Sequence, residues 1–472
     1  MAKWGVLPKN LERRGMNNFK DGVDTEGNGF FISDNSYADG YGWDTDKYPV
    51  LATRKGRTAH GVTGGAITRL LANYGNTHLV RAVGESLQYN SSDTTWSAIS
   101  GTYSNEDWSF ANFDVSGPAL LILNQTNGGY YWNGTTLTAI TDMPKGKYIA
   151  ADNRRVYVAG KSGEEDSVFY SAFQDALDFS TPENSGIVQY YTANGGPITG
   201  LYSFEGQIYV FKKDAFAQIF HTGSADVTHR LVEASNDIGC LSYKTIVEVG
   251  PFLMWLGYKD VFICAGGSAS SVGEPVRAIL ENINMAAVSE ACAWTDDYRY
   301  YLCVPTGSNT TCDTELVYDS RHRKWHIRNI ALGGMRWGAL LNNTPYGGWN
   351  DGMTYQLNNG TTDAGTAISV RLDSKAYDEG VPDAEKEYYE MRIQGYVSSG
   401  ASLSVKISPR DRGDNFEQID TLSANSYTEN SNIIVPLDTV PLTHWMRYRL
   451  EGAGYVEINQ VQRYARVQPL QI

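Results

Sequence analysis

No stretch of roughly eighteen apolar residues occurs anywhere in the 472-residue chain, so no segment reads as a membrane-crossing helix. Nor does an apolar stretch follow Arg13-Arg14, so neither a general secretion signal nor a twin-arginine signal is read, and synthesis in the cytoplasm is expected. Cysteine is scarce. Cys240, Cys264, Cys292, Cys303 and Cys312 are odd in number and contain no C-x-x-C pair, which excludes a disulfide scaffold and predicts free, mostly buried thiols. Base is also in deficit. Lys and Arg number 39 against 53 Asp and Glu, a net charge of −14, which argues against a sequence-specific DNA binder or an anionic-membrane binder.

The motifs of common chemistry are missing as well. There is no H-E-x-x-H, no phosphate-cradling G-x-x-x-x-G-K-[ST], no G-x-S-x-G elbow and no EF-hand loop. The seven histidines (60, 78, 221, 229, 322, 326, 444) form no zinc spacing. Asp44 and Asp46 in "DTDKYP" bring too few oxygens for a cation loop. A glycosidase needs a carboxylate pair with one raised pKa, and no motif nominates one. "SSDTTW" (91–96) is similar to the turn box of sialidase-type propellers, but it lacks the glycine and occurs once. No catalytic, cofactor-binding or metal-ligating residue is therefore assigned, and no cofactor is expected.

What the chain does have is tyrosine (31) and glycine (48). "YYWNGTTLTAI" (130–140) reads as a hairpin, with Asn133-Gly134 suited to a tight type I′ turn and β-branched or aromatic flanks suited to strands. Similar units recur. Their central strands sit near Leu79, Leu121, Val156, Ile208, Leu253 and Tyr300, with a seventh unit after Trp337. The spacing of about 35–52 residues is near that of propeller blades. A four-stranded unit cannot bury both faces alone, so such units pack face to face around an axis. A six- to eight-bladed β-propeller is predicted over residues 57–360, with residues 1–56 as an N-terminal segment that supplies a propeller-closing strand.

Within it, "GEPVRAILENINMAAVSEA" (273–291) has apolar residues at helical spacing behind Pro275 and predicts a short amphipathic helix. "NNGTTDAGTA" (358–367) reads as a linker. Beyond it, residues 366–472 alternate cleanly and predict a C-terminal antiparallel β-sandwich, jelly-roll-like. The fold class is all-β. Trp325 is expected in the core. "SRHRKW" (320–325) is the densest basic run, and Arg321, His322, Arg323 and Lys324 are the candidate subunit contacts, a solvated turn being the plainer reading.

"FKDGVDTEGNGFFISDNSYADGYGWDTDKYPVLATRKG" (19–56), with Asp34-Asn35 and Thr53-Arg54-Lys55-Gly56, resembles the opening of tail β-propeller proteins of short-tailed bacteriophages. "NRRVYVAG", "GCLSYKTIVEVGPFLMWLGYKDVFI", "LVYDSRHRKWHI" and "ISVRLDSKAYDEGVPDAEKEYYEMRI" are similar to that family's blades and to the start of its sandwich, so the likeness runs along almost the whole chain. The resemblance implies a structural virion protein: a tail hub or nozzle, a ring usually of six subunits that extends the portal–adaptor channel for DNA ejection. Its implied partners are further copies of itself, the portal-side adaptor, and tail fibre, spike or tip proteins. DNA would pass the lumen without specific binding, and the chain would insert in no membrane. The resemblance implies no catalytic residues. Two alternatives remain at this stage: a receptor- or glycan-binding tail protein that uses exposed Trp43, Trp132 or Trp349, and a virion-associated glycanase.

Overall fold

The computed structural model describes residues 12–27, 29–92, 94–152, 154–182, 184–193, 195–222, 228–329, 333–410, 415–423 and 431–469. The protein is all-β, and its chain falls into two compact units. One comprises Ala59–Glu315 and Ala331–Leu357; the other comprises Met1–Thr58, Leu316–Ile330 and Asn358–Ile472.

The first of these has a propeller-like, multi-sheet architecture. Four-stranded antiparallel sheets follow one another along the chain: Thr68–Ile99, Ser109–Ile140, Tyr148–Gln189, Ile198–Ser235 and Val247–Ser271. The strands Cys292–Thr295 and Arg299–Val304 come next, then Met335–Leu341, Thr344–Trp349 and Thr354–Leu357. The residues read as central strands (Leu79, Leu121, Val156, Ile208, Leu253, Tyr300) are the second strands of their sheets, and all are buried. Their neighbours carry apolar residues on both faces, because each sheet is covered on both sides. Leu70, Leu79 and Leu87 of the first sheet share one core with Leu120 and Trp132 of the second and Trp337 of the last group. Other cores join the second sheet to the third, the third to the fourth and the fourth to the fifth. The last group of strands thus packs back on the first sheet, and the order of sheets closes.

The closure has a hydrogen-bond counterpart. His60 N–H donates to the Thr354 carbonyl at 2.8 Å, and Gly64 N–H to the Gly352 carbonyl at 3.0 Å. A closing segment was expected within residues 1–56; the segment that does this starts a few residues later.

Most strands of the second unit form two sheets. In one, Val456–Val467 pairs with Glu12–Asn17, Leu51–Thr53 and Lys386–Val397, and the last of these pairs with Ser431–Pro436. In the other, Gly22–Val23, Ser36–Tyr41, Ser369–Ser374, Arg447–Ala453, Ser402–Ser408 and Glu417–Ser423 lie side by side. Residues 386–397 alternate between buried and half-buried with a period near two, as a strand covered on one face does. The N-terminal segment was expected with the propeller, but it forms strands of this unit instead. Its short strands, of two to six residues, are too weakly patterned for their partner to be read from sequence.

Two local expectations change. The 130–140 hairpin is not a two-residue turn: Trp132 pairs with Leu137, leaving a four-residue loop. Asn133 accepts through its side chain from the N–H groups of Thr135 (3.0 Å) and Thr136 (2.8 Å), and only Gly134 takes positive φ. Asn here uses its short polar side chain to mimic backbone rather than to enter the left-handed region. The helix expected over 273–291 shrinks to Arg277–Glu281, with single 3₁₀ turns at Glu274–Val276 and Val288–Glu290. Asn284 interrupts it by accepting from Ala286 N–H at 3.1 Å, a local bond that competes with helix. No described helix is long and apolar enough to cross a membrane.

Candidate functional site

The basic hairpin is shaped by one buried acid. Asp319 sits at the end of the strand Thr314–Asp319 with a fully buried side chain. Its carboxylate accepts from the N–H groups of Arg321 (2.9 Å) and His322 (3.1 Å), from the His322 ring at 3.0 Å and from the Thr45 hydroxyl at 2.8 Å. Burial alone would push this carboxyl up, but hydrogen bonds from His322 and Thr45 hold it below the usual range. The turn is completed by Arg323 at φ 56. His322 stacks on Tyr48 at 3.8 Å between centroids, and Lys324 pairs with Asp21 at 3.1 Å. Of the four candidate contacts, His322 and Lys324 are thus engaged within the unit. Arg321 reaches Asp319 at 3.8 Å yet keeps about half its side chain exposed (51 %), and Arg323 is exposed too. Two guanidinium groups face outward.

The three tryptophans proposed for sugar contact do not. Trp43, Trp132 and Trp349 are 0 %, 1 % and 3 % exposed. Trp43 donates its indole N–H to the Arg371 carbonyl at 2.7 Å, and Trp132 packs on Tyr74 and Tyr89. Each lies on or at the end of a strand whose neighbours bury the large ring, which is where aromatics of this size stabilise most. Of the "SSDTTW" box, Asp93 lies outside the described residues; Trp96 lies under the Arg81 guanidinium at 3.9 Å. Asp44 and Asp46 are paired with Arg328 (3.3 Å) and Lys55 (3.0 Å). The described residues hold no group of three or more ligating side chains that could bind a metal.

Sequence reasoning missed the propeller-like unit's own axis. The first strands of six sheets border one cavity of about 570 Å³. At its inner end, side chains from four sheets or their leading turns meet. Tyr243 and Lys244 come from the 3₁₀ turn Tyr243–Thr245, Asp107 from just before the second sheet, Arg336 and Trp337 from the strand Met335–Leu341, and Tyr148 from the third sheet. Asp107 accepts from Lys244 at 3.0 Å and Arg336 at 3.0 and 3.2 Å, and pairs with Arg69 at 3.3 Å. Burial would raise its pKa; the charges of Lys244 and Arg336 outweigh that and lower it. Arg336 also pairs with Glu290. The Tyr243 hydroxyl donates to the Trp108 carbonyl at 3.2 Å, and its ring meets Tyr148 at 5.1 Å and Trp337 at 5.9 Å. Burial and the Asp107 charge push the Tyr243 phenol far up. A second cavity of about 330 Å³, bordered by Glu106, Asp107, Gln125, Lys147 and Tyr148, shares Tyr243 with the first. These rings and ion pairs lie between the two cavities. No spacing in the sequence marks them, because they come from residues 69 to 337.

The five cysteines are free and buried. Burial pushes the thiols of Cys240 and Cys292 up, to about 12 for Cys240.

No protein-family model and no curated protein matches the chain. Among solved structures it is similar to the extracellular domain of a one component system from B. thetaiotaomicron, with 10 % identity, a TM-score of 0.41 and 64 % of this chain covered. The match spans 40 % of that chain's length.

Proposed function

We propose that this protein is a structural component of a bacteriophage tail, a hub or nozzle subunit that closes into a ring and extends the channel through which DNA leaves. In this reading the sheets of Ala59–Leu357, completed by the hairpin Leu316–Ile330, are the seven blades of a β-propeller. The two sheets of the other unit are then the layers of a β-sandwich.

The observation that carries the proposal is how the residues that bear the family resemblance are used. Asp34 pairs with Lys375 at 2.8 Å, and Asn35 accepts from Asn18 N–H at 3.2 Å. Thr53 donates to the Gly454 carbonyl at 3.1 Å. Arg54 donates to the Arg328 carbonyl at 2.9 Å and pairs with Asp363. The contacts of Asp34, Thr53 and Arg54 tie the opening segment to residues hundreds of positions away in sequence, and that of Asn35 braces the segment itself. Such residues serve a scaffold, which is the role the resemblance implies.

The mechanism is assembly and conduction. In this reading the rings and ion pairs around Tyr243 and Asp107 occupy the propeller axis, and the lumen lies between subunits, around the symmetry axis of the ring. Electron microscopy of the purified protein, and of particles that contain it, tests the reading. Rings of about six copies at the tail end of a portal support it; a persistent monomer absent from virions overturns it.

A further inference from the structure

The charge of the chain is divided unevenly between its two units. The propeller-like unit holds 15 of the 39 Lys and Arg and 28 of the 53 Asp and Glu, a net −13; the other holds the remaining 24 and 25, a net −1. Between copies, a contact of unlike units therefore meets the least repulsion that involves the propeller-like unit. One loop of that unit is shaped for a partner. After the strand Glu164–Tyr170, residues 172–181 (AFQDALDFST) contain no Lys or Arg. Ala172 N–H closes the loop on the Asp178 carbonyl at 2.7 Å, and Gln174 N–H pins it to the Arg154 carbonyl at 2.6 Å. Ala176 is buried in the core between the second and third sheets, and Phe179 packs against that core. Held in this way, the loop presents Phe173 and Leu177, 48 % and 38 % exposed, with Asp175 exposed between them in sequence. Asp178 and the exposed Asp142 flank it, each within reach of the Ser180 hydroxyl at 3.4 and 3.0 Å. The groups that donate to Asp175 and Asp178 within the loop are neutral N–H and hydroxyl groups, so the negative charge stays uncompensated there.

An apolar pair flanked by carboxylates selects a surface that is both apolar and basic. The other unit carries one. Arg321 and Arg323 are exposed in the hairpin Leu316–Ile330, and Tyr48, 37 % exposed, stacks on His322 between them in sequence. We infer that the Arg321–Arg323 hairpin of one copy docks on the 172–181 loop of the next. A guanidinium suits both halves of that loop, because its fork of donors matches a carboxylate and its flat face stacks on a phenyl ring. Two different surfaces in contact make a heterologous interface, the kind that generates rings. The inference thus rests on the ring reading above and names its contact. The ion pairs set register and partner choice, so they coexist with net repulsion between whole copies.

Sedimentation velocity of the full-length protein, at a salt concentration where the wild type is half assembled, tests the contact. Arg321→Glu/Arg323→Glu and Asp142→Arg/Asp175→Arg should each weaken assembly at least about tenfold, by setting like charges opposite one another. The variant with all four substitutions restores opposite charges and should assemble nearly as the wild type does. Asp175 also accepts from Leu177 N–H at 2.9 Å, so a second measurement leaves it in place. Phe173→Cys mixed with Arg321→Cys should be joined between chains by a short bis-maleimide, more readily than either variant alone. Joined cysteines uphold the inference even where the fourfold variant does not fold. Assembly that both double variants leave intact overturns it and leaves the ring reading standing. So does a loss that the fourfold variant fails to restore when the cysteine variants also fail to join. A wild type that stays monomeric at every salt concentration overturns the ring reading, and the contact falls with it.

Discussion

At the scale of single residues, Trp325 shows what a sequence can and cannot state. Its burial is readable because a large aromatic in a strand pattern needs covering, and it is 1 % exposed with its ring 5.1 Å from Tyr318. What meets its backbone was not readable, because Gly22 is far away in sequence. At φ +78, Gly22 lies so close that a Cβ there would drive into the Trp325 carbonyl oxygen. Trp325→Ala should cost about 3–5 kcal/mol, measured by denaturant unfolding; an unchanged midpoint would refute the packing. The titrating residues predict a two-step acid response. His229, hydrogen-bonded to Tyr157 at 3.1 Å and Thr228 at 3.0 Å, is lowered from 6.5 to about 4, chiefly by burial and then by the Arg155 charge. Between those values the unfolded chain takes up a proton that the fold refuses, so stability falls as pH drops through that window. Asp319, Asp363 and Asp373 follow. Their folded values lie below 3.8 despite burial, because of hydrogen bonds from His322, Arg54 and Arg449 respectively, and their contribution is lost as pH falls further. A melting temperature that is flat from pH 7 to 3, or a His229 ring that titrates near 6.5 by NMR, would contradict this.

At the scale of elements, the strongest signals came from the second strands of the sheets, where apolar residues run almost unbroken because both faces are covered. The weakest came from short edge pieces such as Gly22–Val23 and Leu51–Thr53, which have too few residues to display a period. Residues 59–64 belong to that weak class, yet they hold the two chain ends of the propeller-like unit together through His60 and Thr354. Thr354 is itself fully buried and accepts from Arg81 at 3.1 Å, so a slip there would also strand a buried guanidinium. His60→Pro removes the donor and should cost about 1–3 kcal/mol. Hydrogen exchange should locate the loss in the sheets next to the closure, Thr68–Ile99 and Met335–Leu357, more than in Lys386–Val397 of the other unit. Uniform loss of protection in both units would show that this segment is not a local closure.

At the scale of the whole molecule, the charge of −14 bears on how copies would meet in the proposed ring. The residues nominated for that meeting, Arg321 to Lys324, were legible only as a basic run; the structure shows that Asp319 and Asp21 already neutralise part of it, leaving Arg321 and Arg323 outward. Six such chains in a ring repel one another over the Debye length, about 8–10 Å at moderate salt. Two outward guanidiniums per copy can offset this only where they meet acids of a neighbour. Closure should therefore be weak for the isolated protein and should improve as salt screens the repulsion, unlike an assembly held by complementary charge. In the proposed conduit the same excess of acid would keep passing DNA off the wall, since few cations would be available to release counterions from its phosphates. Sedimentation velocity across a salt series, with Arg321→Glu/Arg323→Glu as the variant, reads this directly. The wild type should shift toward rings as salt rises, the double variant should need more salt to do so, and neither should retain duplex DNA at physiological salt. Rings that dissolve with added salt, or tight duplex binding, would show that the acid serves solubility alone.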